Sequence, residues 1–234
     1  MNSLLVSCII PVFNGERYLR EAIDSVLAQT HRSFEIIIVD DGSADGTRAV
    51  VANYGDQVLY LWQSNAGPAA ARNLGLSVAT GEFVAFLDAD DLWHVEKLEL
   101  QMARFAARPE LDFCVAHVQN FWIAELHDEE ERFRNNRVTQ ALPGYVTGTL
   151  LARRRVFDTT GVFDAKLGHG DSTDWFLRAG EYGAVMELLP DVLLYRRLHQ
   201  TNRSRLLASR SRDEFLEIVK ARLDQRRGVK KIED

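Results

Sequence analysis

The sequence predicts an α/β protein with a Rossmann-like, mostly parallel central sheet flanked by helices in a single domain. Short apolar runs rich in β-branched residues alternate with helical patterns through the first half of the chain, which is typical of strand–helix–strand units. These runs are almost continuously apolar, as expected for parallel strands that are covered on both faces. A chain of 234 residues, 46% hydrophobic and 26% charged, can bury one sizeable core.

The first half contains four predicted strands, each followed by a predicted helix. The strands are Val6–Val12, Phe34–Val39, Val58–Trp62 and Phe83–Leu87, and the helices are Tyr18–Gln29, Thr47–Tyr54, Pro68–Ala79 and Lys97–Ala107. The first helix has apolar residues on one face, and the third starts with proline, which is favoured in a first helical turn. Polar residues follow three of the strands, and parallel sheets bind ligands beyond these carboxyl ends. We therefore expect the binding site there.

The second half is less regular. Strands are predicted for Phe113–Phe121, Val146–Leu151 and Val192–Arg196, and helices for Asp174–Glu181 and Asp213–Arg227. The charged stretch Asp128–Arg137 is predicted to be a mobile loop and a candidate lid. Since the sequence has no internal repeat or clear linker, we divide one domain into a first half, 1–110, and a second half, 111–212. A basic C-terminal helix over 213–234 follows.

Charge is distributed unevenly along the chain. The net charge of −6 argues against nucleic acid as a partner, yet residues 196–231 contain twelve basic and four acidic residues. The terminal helix could dock on an anionic membrane surface, or it could pack its apolar stripe on the domain. Both interpretations remain open.

Cysteine usage and hydropathy predict a cytoplasmic protein. Cys8 and Cys114 lie in apolar runs, where a buried thiol is expected, and no spaced cysteine framework indicates disulfides. No apolar run reaches the roughly 20 residues of a membrane span, and the N-terminal segment lacks the features of a secretory signal. Contact with the inner face of the membrane would be peripheral, through the basic helix.

Three carboxylates follow the fourth predicted strand in the sequence Asp88-Ala89-Asp90-Asp91. Carboxylates this close repel one another unless a cation lies between them. Mn²⁺ or Mg²⁺ meets this need, since hard divalent cations join one or two carboxylates to substrate phosphates. The alternative is a solvated acidic turn that caps the next helix, but the position at the ligand-binding edge of the sheet favours a metal.

Two further segments bring polar groups to the same edge. Asp40 and Asp41 follow the second strand, where a carboxylate could accept hydrogen bonds from a base or a ribose, or could serve only turn and N-cap chemistry. Arg72 lies one turn inside the helix that Pro68 starts. It could bind phosphate near the helix N-terminus, or it could be a surface arginine.

Four segments together carry a specific resemblance. The strings VSCIIPVFNGERYLREAIDSVLAQT, FEIIIVDDGSADGT, NAGPAAARNLGL and GEFVAFLDADD, in this order and spacing, resemble glycosyltransferase family 2. The resemblance implies the GT-A fold and a metal-dependent transfer, with Mn²⁺ or Mg²⁺, of a sugar from a nucleotide-sugar donor such as a UDP-sugar. The acceptor would be a glycan, a lipid-linked or another small molecule, and the anomeric carbon would be inverted.

The resemblance also implies roles for single residues. Pro11 and Phe13 would line the nucleotide site and Asp41 would hold the base, while Asp88 and Asp90 correspond to the DxD pair that engages the ribose and the metal-bound diphosphate. In Tyr195–Ser204, a weaker match, His199 could complete the coordination of a metal, orient the diphosphate, or be an exposed histidine. The predicted nucleotide-sugar-binding residues are Pro11, Phe13, Asn14, Asp41, Arg72, Asp88, Ala89 and Asp90, and the predicted metal ligands are Asp90, Asp91 and His199.

The catalytic segment departs from the family pattern. The family often has a Glu-Asp pair before an aromatic residue and an arginine, and its aspartate is the general base. Here Asp171 falls on the Glu position and Ser172 on that of the base. Because a serine is not a base at neutral pH without help, Asp171 or Asp174 is predicted to serve instead, with Asp171 favoured. The alternative is a non-catalytic sugar-nucleotide-binding module.

Two other nucleotide-binding classes lack their signatures in this sequence. The segment after the first strand reads Pro-Val-Phe-Asn-Gly and not G-x-G-x-x-G, and no G-x-x-x-x-G-K-[ST] is present. A dinucleotide-binding dehydrogenase and a P-loop NTPase are therefore excluded.

Overall fold

The computed structural model describes residues 4–168, 170–206, 213–220 and 222. Its strands are β1 (Val6–Val12), β2 (Phe34–Asp40), β3 (Leu59–Trp62), β4 (Phe83–Phe86), β5 (Leu92–Trp93), β6 (Phe113–Trp122), β7 (Leu142–Gly144), β8 (Leu151–Arg153) and β9 (Met186–Leu198). Its helices are α1 (Leu19–Leu27), α2 (Thr47–Ala52), α3 (Pro68–Val78), α4 (Lys97–Ala107), α5 (His127–Phe133), α6 (Val156–Thr160), α7 (Asp171–Glu181) and α8 (Arg203–Leu206). Residues 213–220 and 222 are also helical and are called the tail helix below.

The nine strands of the described residues form one sheet. Their order is β3-β2-β1-β4-β8-β6-β9-β5, and β7 pairs with β6. The strands β3, β2, β1 and β4 are all parallel, as are β6 and β9. Strands β5, β7 and β8 run antiparallel to their partners. The α/β fold with a helix-flanked sheet is confirmed, and its antiparallel pairings all involve strands that follow β4.

Strand β1 shows why the apolar runs are continuous. Val6, Cys8 and Ile10 pack in a cluster with α1 and α4, whereas Ile9 packs on the opposite face with α3, α6 and α7. Successive strand residues point to opposite faces, so a strand covered by helices on both sides is apolar at almost every position, and the one buried polar side chain of β1, Ser7, donates a hydrogen bond to Glu35.

Helix α3 lies unusually close to the sheet because Gly75 has no side chain. A Cβ atom at Gly75 would lie 2.5 Å from Cγ2 of Ile9 and 3.2 Å from Cγ2 of Val39. The helix starts at Pro68, directly after Gly67, whose φ of 91° is disfavoured for residues that carry a Cβ. These small residues bring the N-terminus of α3 to the carboxyl ends of β1 and β2.

The predicted elements of the first half agree with the structure to within two residues at each end. Two predictions for the second half are wrong. The charged stretch Asp128–Arg137 was expected to be a loop, but most of it lies in α5. This polar helix is held by Glu129, which accepts a hydrogen bond from Nε1 of Trp122 at 3.1 Å and forms an ion pair with Arg205.

The strand predicted for Val146–Leu151 is also wrong. Residues Thr147–Thr149 form a 3₁₀ turn, and β8 begins only at Leu151. The hydroxyl group of Thr149 donates to backbone carbonyls of Gly144 and Val146, which closes the turn. Conversely, β9 is much longer than the predicted Val192–Arg196, because it pairs with β6 along most of its length.

The terminal helix predicted for Asp213–Arg227 lies partly outside the described residues. Positions 213–220 and 222 are helical, while 221 and 223–234 are not described. Within the described ranges, no helix is long and apolar enough to cross a membrane. Cys8 and Cys114 are buried free thiols, as predicted.

Candidate functional site

A cleft of about 900 Å³ opens at the carboxyl ends of β1, β2 and β4, where the site was expected. The predicted site residues that line it are Pro11, Phe13, Asn14, Asp41, Asp88, Ala89, Asp90 and His199. Four others lie outside its lining, namely Arg72, Asp91, Asp171 and Asp174.

The loop after β1 forms one wall of the cleft. Asn14 has a φ of 51°, in the left-handed region that asparagine tolerates better than most residues. Its backbone N–H donates to Oγ of Ser43 at 2.8 Å, and its Oδ1 accepts from the backbone N–H of Ala44 at 2.9 Å. These contacts join the loops after β1 and β2 and leave the ring of Phe13 exposed in the cleft.

Asp41 forms the floor beside this wall. One carboxylate oxygen accepts from Nε2 of Gln63 at 2.7 Å and from the backbone N–H of Ala66 at 2.8 Å, and the other accepts from the backbone N–H of Gly67 at 2.8 Å. Three of its roughly four acceptor positions are therefore used within the chain. Asp41 lines the cleft while also fixing the start of α3.

Arg72 does not line the cleft but connects Asp88, which does, to Asp171, which does not. Its Nη2 donates to Asp88 at 2.8 Å and its Nη1 donates to Asp171 at 2.7 Å. The side chains of Arg72 and Asp171 are each 7% exposed, whereas that of Asp88 is 43% exposed. Burial lowers the pKa of Arg72, but the two carboxylates more than offset this, so the guanidinium pKa is raised above its ordinary value. Arg72 thus joins the acidic loop after β4 to the start of α7.

Asp90 faces the cleft together with the loop that follows β9. Its Oδ2 lies 2.9 Å from Nε2 of His199 and accepts from Nδ2 of Asn202 at 3.3 Å. The other ring nitrogen of His199 lies 2.9 Å from Oγ1 of Thr201, and Tyr18 packs on the imidazole at 4.9 Å between ring centroids. The structure therefore brings together two of the three predicted metal ligands.

Asp91 is directed away from the cleft. Its Oδ1 accepts from the backbone N–H of Arg197 in β9 at 2.9 Å. Burial, followed by the charges of Asp90 and Asp88, raises the pKa of Asp91 well above its ordinary value. The guanidinium of Arg197 also donates to the carbonyl of Asp90 at 2.9 Å and to Glu21 at 2.8 Å. Asp91 therefore anchors β9 to the acidic loop in this structure.

The donor set at the acidic loop fits a divalent cation that a bound diphosphate helps to hold. Among the described residues, no three Asp, Glu, His or Cys side chains are grouped to hold a metal. However, Asp90 and His199 are adjacent and both line the cleft. Mg²⁺ and similar ions commonly take one or two protein ligands and complete their coordination with substrate phosphates and water.

The two candidate bases have different surroundings. Asp171 is the first residue of α7 and contacts Arg72 behind the acidic loop. Asp174 lies one turn later, and its two carboxylate oxygens bind Arg178 at 2.7 Å and Arg222 at 2.6 Å. Both carboxylates lie outside the cleft lining and in ion pairs, but only the partner of Asp171, Arg72, also binds a carboxylate that lines the cleft, Asp88. This connection favours Asp171 of the two.

Several cleft residues were missed by the sequence analysis. They are Arg17, Tyr18, Ile123, Glu125, Arg203 and Leu206. Arg17 and Glu125 form an ion pair that closes one side of the cleft. Tyr18 has a buried hydroxyl group for which the described residues supply no hydrogen-bond partner. Arg17 and Tyr18 follow a predicted strand end and could have been inferred from that position, whereas the others depend on the packing of the second half.

The fold is of the GT-A type, as a comparison with solved structures shows. TarS of S. aureus, residues 1–349 in complex with UDP-GlcNAc, superposes with a TM-score of 0.70 at 22% identity over 86% of this chain and 61% of that one. A longer TarS structure gives 0.69 at 21% identity over 92% of this chain and 38% of that one. At this identity the likeness establishes the fold.

The chain belongs to glycosyl transferase family 2, whose family model matches residues 7–161. An uncharacterised glycosyltransferase of Rickettsia typhi is 48% identical over 100 residues, which are 43% of this chain and 31% of the relative. The putative teichuronic acid biosynthesis glycosyltransferase TuaG of Bacillus subtilis is 47% identical over 103 residues, 42% of this chain and 40% of TuaG. The chain thus spans less than half the length of these relatives.

Proposed function

We propose that this protein transfers a sugar from a UDP-sugar to an acceptor hydroxyl group, with inversion at the anomeric carbon and with Mn²⁺ or Mg²⁺ bound at Asp90 and His199. The observation that carries the proposal is the bridge from Asp88 through Arg72 to Asp171, because it joins the predicted donor site to a buried carboxylate that can act as a base. Membership in glycosyl transferase family 2 supports the reaction class.

A UDP-sugar is the proposed donor, and UDP-N-acetylglucosamine is the first one to test. Solved structures with this fold include complexes of TarS with UDP and with UDP-GlcNAc. Phe13 offers an exposed ring at the end of β1 on which a base can stack, and Asp41 has acceptor capacity left for a base N–H. A bound cation would supply positive charge against the diphosphate as it departs.

The residues of the chain divide the remaining work. Asp171 accepts the proton of the acceptor hydroxyl group while that oxygen bonds to the anomeric carbon, and the bond from this carbon to the diphosphate breaks on the opposite face. Arg203 lines the cleft close to His199 and adds positive charge on the leaving-group side. Ser172 occupies the position of the family's base but cannot replace it, since a neutral hydroxyl group is too weak a base.

The proposed acceptor is a glycan or a lipid-linked sugar in polysaccharide biosynthesis. The relative TuaG is named for teichuronic acid biosynthesis. Peripheral contact with the inner face of the membrane would suit such acceptors. In the tail helix, Phe215 and Leu216 are 47% and 57% exposed, so apolar side chains are available for lipid, and flotation with anionic liposomes tests this contact.

Calorimetric titration with UDP-sugars, with and without Mn²⁺, tests the donor site. Asp90→Ala should abolish metal-dependent binding, and Asp56→Ala, a change at an exposed aspartate outside the cleft, should leave it intact. Equal binding by wild type and Asp90→Ala would refute the assignment of the acidic loop. Absence of binding to UDP-, GDP- and dTDP-sugars alike would refute the proposed activity.

Turnover separates an enzyme from the alternative, a non-catalytic sugar-nucleotide-binding module, which Ser172 favours. With water as the acceptor, donor hydrolysis forms a bond from the water oxygen to the anomeric carbon and releases UDP. This UDP release should fall at least about 100-fold in Asp171→Asn, because a general base, here accepting the proton of water, typically contributes 10²–10⁴-fold. Asp174→Asn should retain turnover within about tenfold, since that side chain is held by Arg178 and Arg222. Donor binding with no UDP release in wild type would support the binding module.

A further inference from the structure

The tail helix contacts α7 through one stripe of side chains. Glu214, Ile218 and Arg222 are spaced four residues apart, so they share one helical face. Glu214 and Ile218 lie against the residues that precede α7, and Arg222 lies along α7 itself. Along this face a carboxylate, an apolar side chain and a guanidinium each make a different contact, and together they fix how the two helices are aligned.

Glu214 binds the backbone at the start of α7. One carboxylate oxygen accepts from the N–H of Gly168 at 2.6 Å, and the other accepts from the N–H of Gly170 at 2.8 Å. Gly170 is the N-cap of α7, and its carbonyl accepts the first helical hydrogen bond, from Asp174. A carboxylate is stabilised at a helix N-terminus, where backbone donors lack intrahelical partners.

Ile218 and Arg222, the other two residues of the stripe, fix the rest of α7. A Cβ atom at Gly170 would lie 2.2 Å from Cδ1 of Ile218, so Ile218 packs directly against the glycine. Arg222 donates to Asp174 at 2.6 Å and to Glu181 at 3.0 Å, near the two ends of α7. The helix can therefore neither slide along the tail helix nor rotate without breaking a charged contact.

We propose that Glu214 is a positioning residue that holds the start of α7 so that Asp171 meets Arg72. This inference rests on the proposed function, in which Asp171 is the base. Asp171 directly follows Gly170, so the two hydrogen bonds that Glu214 accepts from Gly168 and Gly170 hold the backbone immediately before Asp171. Most of the donor side of the cleft is built from other elements, the ends of β1, β2 and β4.

Kinetics of UDP release from UDP-N-acetylglucosamine test the proposal. Glu214→Ala should lower kcat by about tenfold or more, since small displacements of a reacting group are costly, and should change KM less than twofold. Glu214→Gln keeps one acceptor oxygen but places an NH₂ donor against the second backbone N–H, so it should recover only part of the loss. Glu217→Ala is the matched control, because Glu217 is exposed on the same helix, and it should behave as wild type.

The background of Asp171→Asn shows whether Glu214 acts through the base. In that background Glu214→Ala should cause no further loss, since interacting residues are not additive. If Asp171→Asn is inactive while Glu214→Ala keeps wild-type kcat, the positioning role is refuted and the proposed function stands. If Asp171→Asn retains turnover, the proposed base itself is wrong.

Hydrogen exchange gives a readout that does not need turnover. Peptides covering residues 166–176 should exchange faster in Glu214→Ala, because Glu214 accepts hydrogen bonds from the amides of Gly168 and Gly170. They should be unchanged in Glu217→Ala, since Glu217 is exposed. Unchanged exchange in both variants would overturn the proposal even if UDP-N-acetylglucosamine is not turned over.

Discussion

Replacement of Arg72 by alanine tests the bridge on which the candidate site depends. Arg72 binds Asp171 at 2.7 Å with both side chains 7% exposed, and it binds Asp88, 43% exposed, at 2.8 Å. Removing one partner of a buried ion pair costs about 3–5 kcal/mol, because the remaining charge is left unpaired. The contact near solvent contributes about 0–1 kcal/mol. We therefore expect Arg72→Ala to lower the free energy of unfolding by about 3–4 kcal/mol, mostly through Asp171.

Urea unfolding followed by tryptophan fluorescence measures this loss. The double variant Arg72→Ala/Asp171→Asn has no stranded charge and should recover about 2 kcal/mol relative to Arg72→Ala. Arg134→Ala removes an exposed ion pair with Glu131 and should cost less than about 1 kcal/mol. A loss below about 1 kcal/mol for Arg72→Ala, or no recovery in the double variant, would contradict the reasoning that the guanidinium neutralises a buried Asp171.

Three further predictions follow from single side chains. Burial lowers the pKa of Lys97 to about 8 from 10.5, so the unfolded chain binds this proton more tightly and the contribution of Lys97 to stability should rise with pH between these values. Above about pH 9 the buried thiols of Cys8 and Cys114, with pKa values raised to about 12, oppose this rise, so the variant is compared with wild type at each pH. Lys97→Met should remove that rise and add about 2 kcal/mol at pH 7, as urea titrations at several pH values will show. Gly75→Ala should cost about 1–3 kcal/mol through overpacking, whereas Gly180→Ala, with open space around its Cβ position, should be neutral or stabilising by up to about 1 kcal/mol in the same assay. His199→Gln should weaken Mn²⁺-dependent donor binding by about 10–100-fold in calorimetry, and equal affinities would exclude a role of the imidazole at the metal.

The first half of the fold could be predicted because its signals are local. A strand buried on both faces is apolar at nearly every position, and Pro68 and Gly67 mark the start of α3 within a few residues. Helix α5 could not be predicted in this way. It is polar on all sides, and the ion pair of Glu129 with Arg205 that holds it joins residues 76 positions apart.

The candidate site likewise combines residues that the local sequence predicts with residues that depend on distant contacts. Asn14, Asp41 and Asp90 follow apolar strands directly, so the sequence alone places them at one edge of the sheet. Arg72 was expected to bind the donor, but the structure shows it bonded to Asp171, 99 residues away. A partner at that separation leaves no pattern in the local sequence, and the same holds for the contacts of the tail helix with α7.

Strand β9 has a consequence for the order in which the protein folds. Strands β1, β2 and β3 are neighbours joined by single short helices, whereas β9 must find β6 and β5 and then bring His199 to Asp90 across 109 residues. Closure of long loops costs chain entropy before any contact forms, so such pairings are slow. During refolding, secondary structure should therefore return before the capacity to bind ligand. During synthesis, Asp90 is made 109 residues before His199. The acidic loop therefore lacks its contact with the histidine until almost the whole described chain has been made.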